Sequence, residues 1–137
     1  MDRPLLGGCE CGDLRYEVSE EPLAVSACHC TQCQRQSGSA FAMSMVVRKE
    51  AFRWHSGEPA SFATRADSGA EKIFFFCPRC GTRIYNTLSS MPATRNVKPG
   101  TLDDTRWLNP KIHVWQASKQ PWVPVPEDAK RFDRNPT

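Results

Sequence analysis

The sequence predicts a mainly β chain with a single short helix. Apolar and polar residues alternate over short stretches such as Leu14–Val18, which is the pattern of a half-buried strand. The 11 prolines and 8 glycines supply turn residues between these stretches, and no helical periodicity is sustained over more than a short segment. At 137 residues the chain has the size of one domain. We therefore expect a single domain over residues 1–137, with a core over about 5–123 and a C-terminal surface tail over about 124–137.

The same patterns place the individual elements. A helix is predicted from Thr31 to about Ser37, with Thr31 as its cap and Gly38 as its end. This helix would hold Cys33 in its first turn. Nine segments are predicted as strands: 14–18, 24–28, 40–47, 52–55, 61–64, 72–76, 83–86, 96–98 and 112–115.

Charge and hydropathy argue against two broad classes of function. The net charge of +3 is mild, and the basic residues are scattered, so we expect no nucleic-acid binding. No apolar run reaches the 18 residues of a membrane span, and the start of the chain does not resemble a signal peptide. We expect a cytoplasmic protein, where reducing conditions favour metal ligation by cysteine over disulfides.

Four of the seven cysteines form two tight pairs. Cys9 and Cys11 are separated by one residue, and Cys77 and Cys80 by two. Four thiolates complete a tetrahedral zinc site of the structural kind. Because the pairs are far apart in sequence, such a site would close a long loop and join the N-terminal strand to the middle of the chain.

The other three cysteines predict a second site with a vacant ligand position. Cys28 and Cys30 face the same way in extended backbone, while His29 between them faces the other way. Cys33 returns to the same point after a turn. His29, His55 and His113 are the alternatives for a fourth ligand, and without one the site is open, as catalytic zinc sites are.

The charge of the three-thiolate site favours sulfur chemistry. Zinc with three thiolates is formally a monoanion, so it acidifies bound water less well than zinc held by neutral histidines. Zinc is nevertheless thiophilic, and it would increase the thiolate fraction of an incoming thiol, whose pKa is ordinarily about 8.5.

Several motifs, in this order, resemble the glutathione-dependent formaldehyde-activating enzyme family. They cover roughly residues 5–123, and the combined cysteine pattern is the specific part. The matching segments are Gly8–Gly12, Cys28–Cys33, Ser37–Phe41, Phe76–Thr82, Gly100–Asp104, Pro110–Trp115 and Pro121–Trp122.

The resemblance implies a β-tent fold of several small coiled antiparallel sheets. It implies a structural zinc on Cys9, Cys11, Cys77 and Cys80, and a second, more labile zinc on Cys28, Cys30 and Cys33. The activity it implies is that of a carbon–sulfur lyase that joins glutathione to formaldehyde and yields S-(hydroxymethyl)glutathione. Both partners would then be small molecules, a thiol and an aldehyde.

Four further residues are candidates for the site. His29 and His113 are candidates for the acid that protonates the alkoxide. Arg35 is a candidate partner for a substrate carboxylate, and Ser39 is a candidate donor to bound substrate. The alternative function is a non-catalytic zinc-binding module for protein interaction, in which a histidine would close the second zinc site.

Overall fold

In the computed structural model, which describes residues 3–136, β-strands dominate and one short α-helix is present. The prediction of a mainly β chain with one short helix is confirmed. No helix in this described range is long and apolar enough to cross a membrane. The elements are β1 (Leu5–Gly8), β2 (Arg15–Val18), β3 (Ala24–Cys28), α1 (Thr31–Ser37), β4 (Ala42–Arg48), β5 (Phe52–Ser56), β6 (Ala60–Arg65), β7 (Glu71–Phe76), β8 (Arg83–Leu88), β9 (Thr94–Val97), β10 (Ile112–Val114) and β11 (Lys130–Arg131).

The chain divides into two compact units, each built from two segments. The first unit contains the residues up to Leu23 together with Met45–Trp107. The second contains Ala24–Ser44 together with the residues from Leu108 onward. The four-cysteine set lies in the first unit and the three-cysteine set in the second.

Two antiparallel sheets form the first unit. One has the strand order β1-β2-β5, and the other runs from the second half of β4 through β9, β8 and β7 to β6. Strand β2 shows the expected alternation, since Tyr16 and Val18 are buried while Arg15 and Glu17 are partly exposed. The apolar side of β2 therefore faces the interior, as its period of two predicts.

Aromatic rings form much of the interior of this unit. Tyr16 of β2 stacks on Phe52 of β5 with ring centroids 5.0 Å apart, and Phe52 lies 5.0 Å from Tyr85 of β8. The Tyr16 hydroxyl is 2.7 Å from the Thr101 hydroxyl, so the polar end of this fully buried side chain has a partner. The rings thus connect strands of both sheets while leaving the Tyr16 hydroxyl satisfied.

The second unit is built around β10. This strand pairs in parallel with β3 on one side and with the two-residue β11 on the other. Backbone bonds continue past β11, because Trp115 N–H donates to Arg134 and Gln116 N–H donates to Phe132. The C-terminal segment is mostly exposed, yet its backbone is hydrogen-bonded to the region around β10.

Two details differ from the sequence predictions. The cap of α1 is Cys30, whose sulfur accepts from the Cys33 N–H, so the prediction of Thr31 as the cap was wrong. Gly38 does end the helix, in the left-handed conformation. Strands β1 and β11 had not been predicted. Two glycines weaken the pattern of β1, and two residues are too few for β11 to show a period.

Gly7 provides a test of the packing between β1 and its surroundings. A Cβ at Gly7 would lie 2.5 Å from the Tyr16 hydroxyl oxygen and 2.6 Å from the Thr101 carbonyl oxygen. We expect Gly7→Ala to lower the free energy of unfolding by about 1–3 kcal/mol, as overpacking typically does, in urea denaturation. Gly100→Ala is the matched control, because a Cβ there meets nothing within 4 Å. Equal unfolding midpoints for the two variants would contradict this packing.

Candidate metal centres

The four-cysteine cluster joins the turns of two hairpins. Cys9 and Cys11 lie in the connection between β1 and β2, and Cys77 and Cys80 lie in the connection between β7 and β8. The four cysteine sulfurs all lie within 4.8 Å of one another. The prediction that the two pairs meet in space is therefore confirmed.

The spacing of these sulfurs fits zinc. The Cys9 and Cys11 sulfurs are 3.6 Å apart, and those of Cys11 and Cys77 are 3.7 Å apart. A tetrahedron with zinc–sulfur bonds of about 2.3 Å has edges of about 3.8 Å. A disulfide would bring two sulfurs to about 2.05 Å, and none of the seven cysteines forms one. The four residues thus fit a closed zinc shell.

Backbone N–H groups point at the sulfurs of this cluster. Leu14 N–H donates to the Cys9 sulfur at 3.2 Å, and Arg79 N–H donates to the Cys77 sulfur at 3.4 Å. Such donors offset the negative charge of thiolates. Each hairpin turn also places a glycine of positive φ directly after its second cysteine. These are Gly12 with φ of 86° and Gly81 with φ of 82°, a conformation that favours glycine.

Thr82 supports the Cys80 thiolate. Its hydroxyl lies 3.2 Å from the Cys80 sulfur, and this contact together with its backbone hydrogen bond lowers the pKa of Cys80 to about 6. The same hydroxyl accepts from the Glu10 N–H in the other hairpin turn. Thr82, which the sequence analysis did not single out, therefore connects both turns and stabilises the charged form of a ligand.

The three-cysteine cluster is assembled where β3 meets α1. Cys28 ends β3, Cys30 caps α1, and Cys33 lies buried in the first turn of the helix. The three sulfurs lie within 4.8 Å of one another, so the predicted triad is brought together. Within residues 3–136, no histidine, aspartate or glutamate joins this group.

The electrostatics of the triad call for a cation. The neighbouring sulfurs of Cys30 and Cys33 and the burial of Cys28 all raise the pKa of the Cys28 thiol. Negative charge on one sulfur opposes charge on the next, and a divalent cation removes that conflict. Three soft sulfur donors on a partly exposed site fit zinc with one vacant position.

His29 and His113 form a buried pair beside the triad. His29 Nε2 lies 2.9 Å from His113 Nδ1, and the two residues are 0% and 5% exposed. Burial lowers the pKa of both rings, and in His29 the charges of His113 and Lys119 act in the same direction. His29 Nδ1 is buried without a hydrogen-bond partner among the described residues. The lowered pKa values favour the neutral form of both rings, and their role as the acid stays a prediction.

The other candidates lie at different places. Arg35 is exposed on α1, two positions after Cys33, and residues so spaced do not share a helix face. Ser39 is exposed just after the helix, and its N–H donates to the Ser37 hydroxyl. His55 lies in the first unit, where its Nε2 is 2.6 Å from Glu17, so it does not complete the triad. The roles of Arg35 and Ser39 toward a substrate stay predictions.

Two residues missed by sequence reasoning hold the loop that carries Cys28 and Cys30. Gln34 Nε2 and the Ser118 hydroxyl each donate to the His29 carbonyl oxygen, both at 2.8 Å. The position of Gln34 next to Cys33 indicates that it lies near the cluster, but it does not indicate that its side chain donates to the His29 carbonyl. Ser118 is 89 residues away from His29, and no local pattern reveals that contact.

Comparisons with known proteins bear on the fold and on the family of the chain. A search of curated proteins gave no match. A crystal structure of a Rhodobacter sphaeroides protein is similar, with a TM-score of 0.57 and 24% identity over 77% of this chain and 91% of that one. This likeness shows a shared fold. The model of the glutathione-dependent formaldehyde-activating enzyme family matches residues 4–118, which contain all seven cysteines, and the chain belongs to this family.

Proposed function

We propose that the chain is a zinc-dependent carbon–sulfur lyase, or synthase, that adds glutathione or a similar small thiol to formaldehyde or a related aldehyde. In this reaction a sulfur–carbon bond forms, the carbonyl π bond breaks, and the thiol proton is transferred to the aldehyde oxygen. The observation that carries the proposal is the three-sulfur cluster of Cys28, Cys30 and Cys33, which lacks a fourth ligating side chain among residues 3–136. Family membership supports the same class of reaction.

Cys28, Cys30 and Cys33 would hold the second zinc. When bound, zinc there supplies a thiophilic centre that favours the thiolate form of an incoming thiol. The partial exposure of Cys28 and Cys30 leaves the cluster accessible, whereas the buried Cys33 fixes it to α1. His29 and His113 enter the proposal as a neutral pair that supports the loop, and their predicted role as the acid stays a prediction.

The distribution of charge favours an anionic thiol. The first unit has twelve basic and twelve acidic residues, while the second has six basic and three acidic ones. The whole net charge of +3 therefore belongs to the unit that carries the three-cysteine cluster. Glutathione, with two carboxylates and one ammonium group, is an anion at neutral pH, and a positive field raises its local concentration.

The alternative function, a non-catalytic interaction module, requires a protein ligand in the fourth position of the second zinc site. X-ray absorption on the zinc-loaded protein distinguishes the two proposals. Glutathione that enters the coordination shell and increases its sulfur count supports the enzyme. A shell of four protein ligands that glutathione leaves unchanged supports the module.

Cys30→Ala tests the catalytic proposal. We expect it to reduce the rate of the enzyme-catalysed exchange between glutathione and its formaldehyde adduct by more than about 100-fold. Even residues outside the ligand shell of a metal site often account for about 10- to 100-fold in metal affinity or activity, and Cys30 is a ligand itself. The exchange is measured by NMR above the uncatalysed background. The variant is expected to keep a cooperative thermal melt, lowered by the loss of the Cys30 cap of α1, which costs about 0.5–2 kcal/mol. Unchanged exchange in Cys30→Ala would contradict the proposal.

Cys77→Ala tests the structural role of the other cluster. Structural zinc contributes about 10–16 kcal/mol of apparent binding energy in small domains, which matches or exceeds the about 5–15 kcal/mol of a typical domain's stability. We therefore expect Cys77→Ala to lose the cooperative melt that Cys30→Ala keeps, as followed by circular dichroism. A folded Cys77→Ala protein with normal stability would show that the fold does not depend on this zinc.

A further inference from the structure

We propose that Gln34 is a positioning residue that sets the spacing of the three sulfurs of the second cluster. This inference rests on the proposed function, in that it assigns to Cys28, Cys30 and Cys33 a bound zinc. It concerns a side chain that does not itself ligate the metal. The peptide groups on either side of His29 link Cys28 to Cys30 and so set the positions of two of the three cysteines.

Both of these peptide groups are held by hydrogen bonds. His29 N–H donates to the Val114 carbonyl at 3.0 Å, which fixes the peptide between Cys28 and His29. The His29 carbonyl belongs to the peptide between His29 and Cys30, and it accepts from Gln34 Nε2 and from the Ser118 hydroxyl. Because a peptide group is planar, fixing both groups fixes the Cα positions of Cys28 and Cys30.

Gln34 connects this loop to the helix that carries the third sulfur. It follows Cys33 directly on α1, so the bond from Gln34 Nε2 to the His29 carbonyl joins the helix to the loop of the other two cysteines. The same nitrogen donates to the Ser118 carbonyl at 3.0 Å. One side-chain amide thereby connects the helix of Cys33 to the loop of Cys28 and Cys30 and to the segment after β10.

The orientation of this amide is itself fixed. Gln34 Oε1 accepts from Gln120 Nε2 at 3.1 Å, and Gln120 Oε1 accepts from Trp122 Nε1 at 2.7 Å. With its oxygen used in this way, the Gln34 amide presents both of its N–H donors to the carbonyls of His29 and Ser118. Such a chain of hydrogen bonds keeps a side chain in one rotamer and preorganises what it touches.

Preorganisation matters more for the three-sulfur site than for the four-sulfur one. Both clusters have N–H donors to sulfur, from Leu14 to Cys9 in the first and from Cys33 to Cys30 in the second, but in the first cluster four ligands share the binding of the metal. The second cluster has three ligands, so one misplaced sulfur removes a larger part of its affinity for zinc. Partners outside the ligand shell typically account for 10- to 100-fold in metal affinity, and we expect an effect of that size from Gln34.

The test is Gln34→Leu, which keeps the approximate size of the side chain and removes its donors. Gln36→Leu is the matched control, being the same change two positions further along α1. Zinc affinity is measured for both variants and the parent by competition with a chromogenic chelator, and the cobalt-substituted proteins are compared by their sulfur-to-cobalt charge-transfer bands. The four-cysteine site in the same molecule is the internal control.

We expect Gln34→Leu to weaken the labile zinc by about 10- to 100-fold and to alter its cobalt bands, with the four-cysteine site unchanged. Gln36→Leu should match the parent. Equal labile-site affinity in the two variants, with turnover intact in the parent, would overturn the inference and leave the proposed function standing. A parent protein that binds no second zinc would overturn both.

Ser118→Ala covers the case in which Gln34→Leu does not fold. It removes one of the two side-chain donors to the His29 carbonyl and leaves the other. We expect a smaller loss of zinc affinity at the labile site, about 2- to 10-fold, which is the size of effect that a single hydrogen bond has. An unchanged labile site in a folded Ser118→Ala protein would count against the positioning network.

Discussion

The contact of four cysteine sulfurs between two hairpin turns is the constraint on which the first unit depends. It joins the β1–β2 turn to the β7–β8 turn across 66 positions of sequence between Cys11 and Cys77. Closing a loop of that length costs on the order of 4 kcal/mol in chain entropy. The binding energy of structural zinc is larger than this cost. A zinc ion bound by these four cysteines would therefore hold in place two sheets whose strands have only four to seven residues each.

The number of sulfurs, together with the surroundings, separates the roles proposed for the two clusters. The first has four sulfurs, N–H donors to Cys9 and Cys77, and a threonine that lowers the pKa of Cys80. These features favour a closed and charged shell. The second has three sulfurs, with an N–H donor to Cys30, in a unit with excess positive charge. A site of this kind can accept a further thiolate, because its surroundings do not already supply one.

The fold and both cysteine clusters could be predicted from the sequence because their signals are local. Alternation marks β2, and the tight spacing of the cysteines marks the ligands. The missed elements depend on distant partners. Strand β1 is defined by its pairing with β2, and β11 by two residues beside β10. Cys30 replaced Thr31 as the helix cap because its sulfur reaches the Cys33 N–H, which a pattern of preferred cap residues does not foresee.

The supports of the clusters were harder to predict than the ligands themselves. Thr82, Gln34 and Ser118 act through hydrogen bonds to residues that are 72, 5 and 89 positions away, respectively. Sequence spacing does not encode such contacts. His29 and His113 were predicted as chemical candidates from their residue type, and only the structure shows that they face each other in the interior.

The most direct test of this account is the zinc content per chain, measured before and after mild chelation with and without added glutathione. We expect two zinc ions per chain, one of which is removed by the chelator without loss of the fold and changes its rate of removal when glutathione is present. Two equally tight zinc ions that do not respond to glutathione would contradict it, because both clusters would then be closed structural sites.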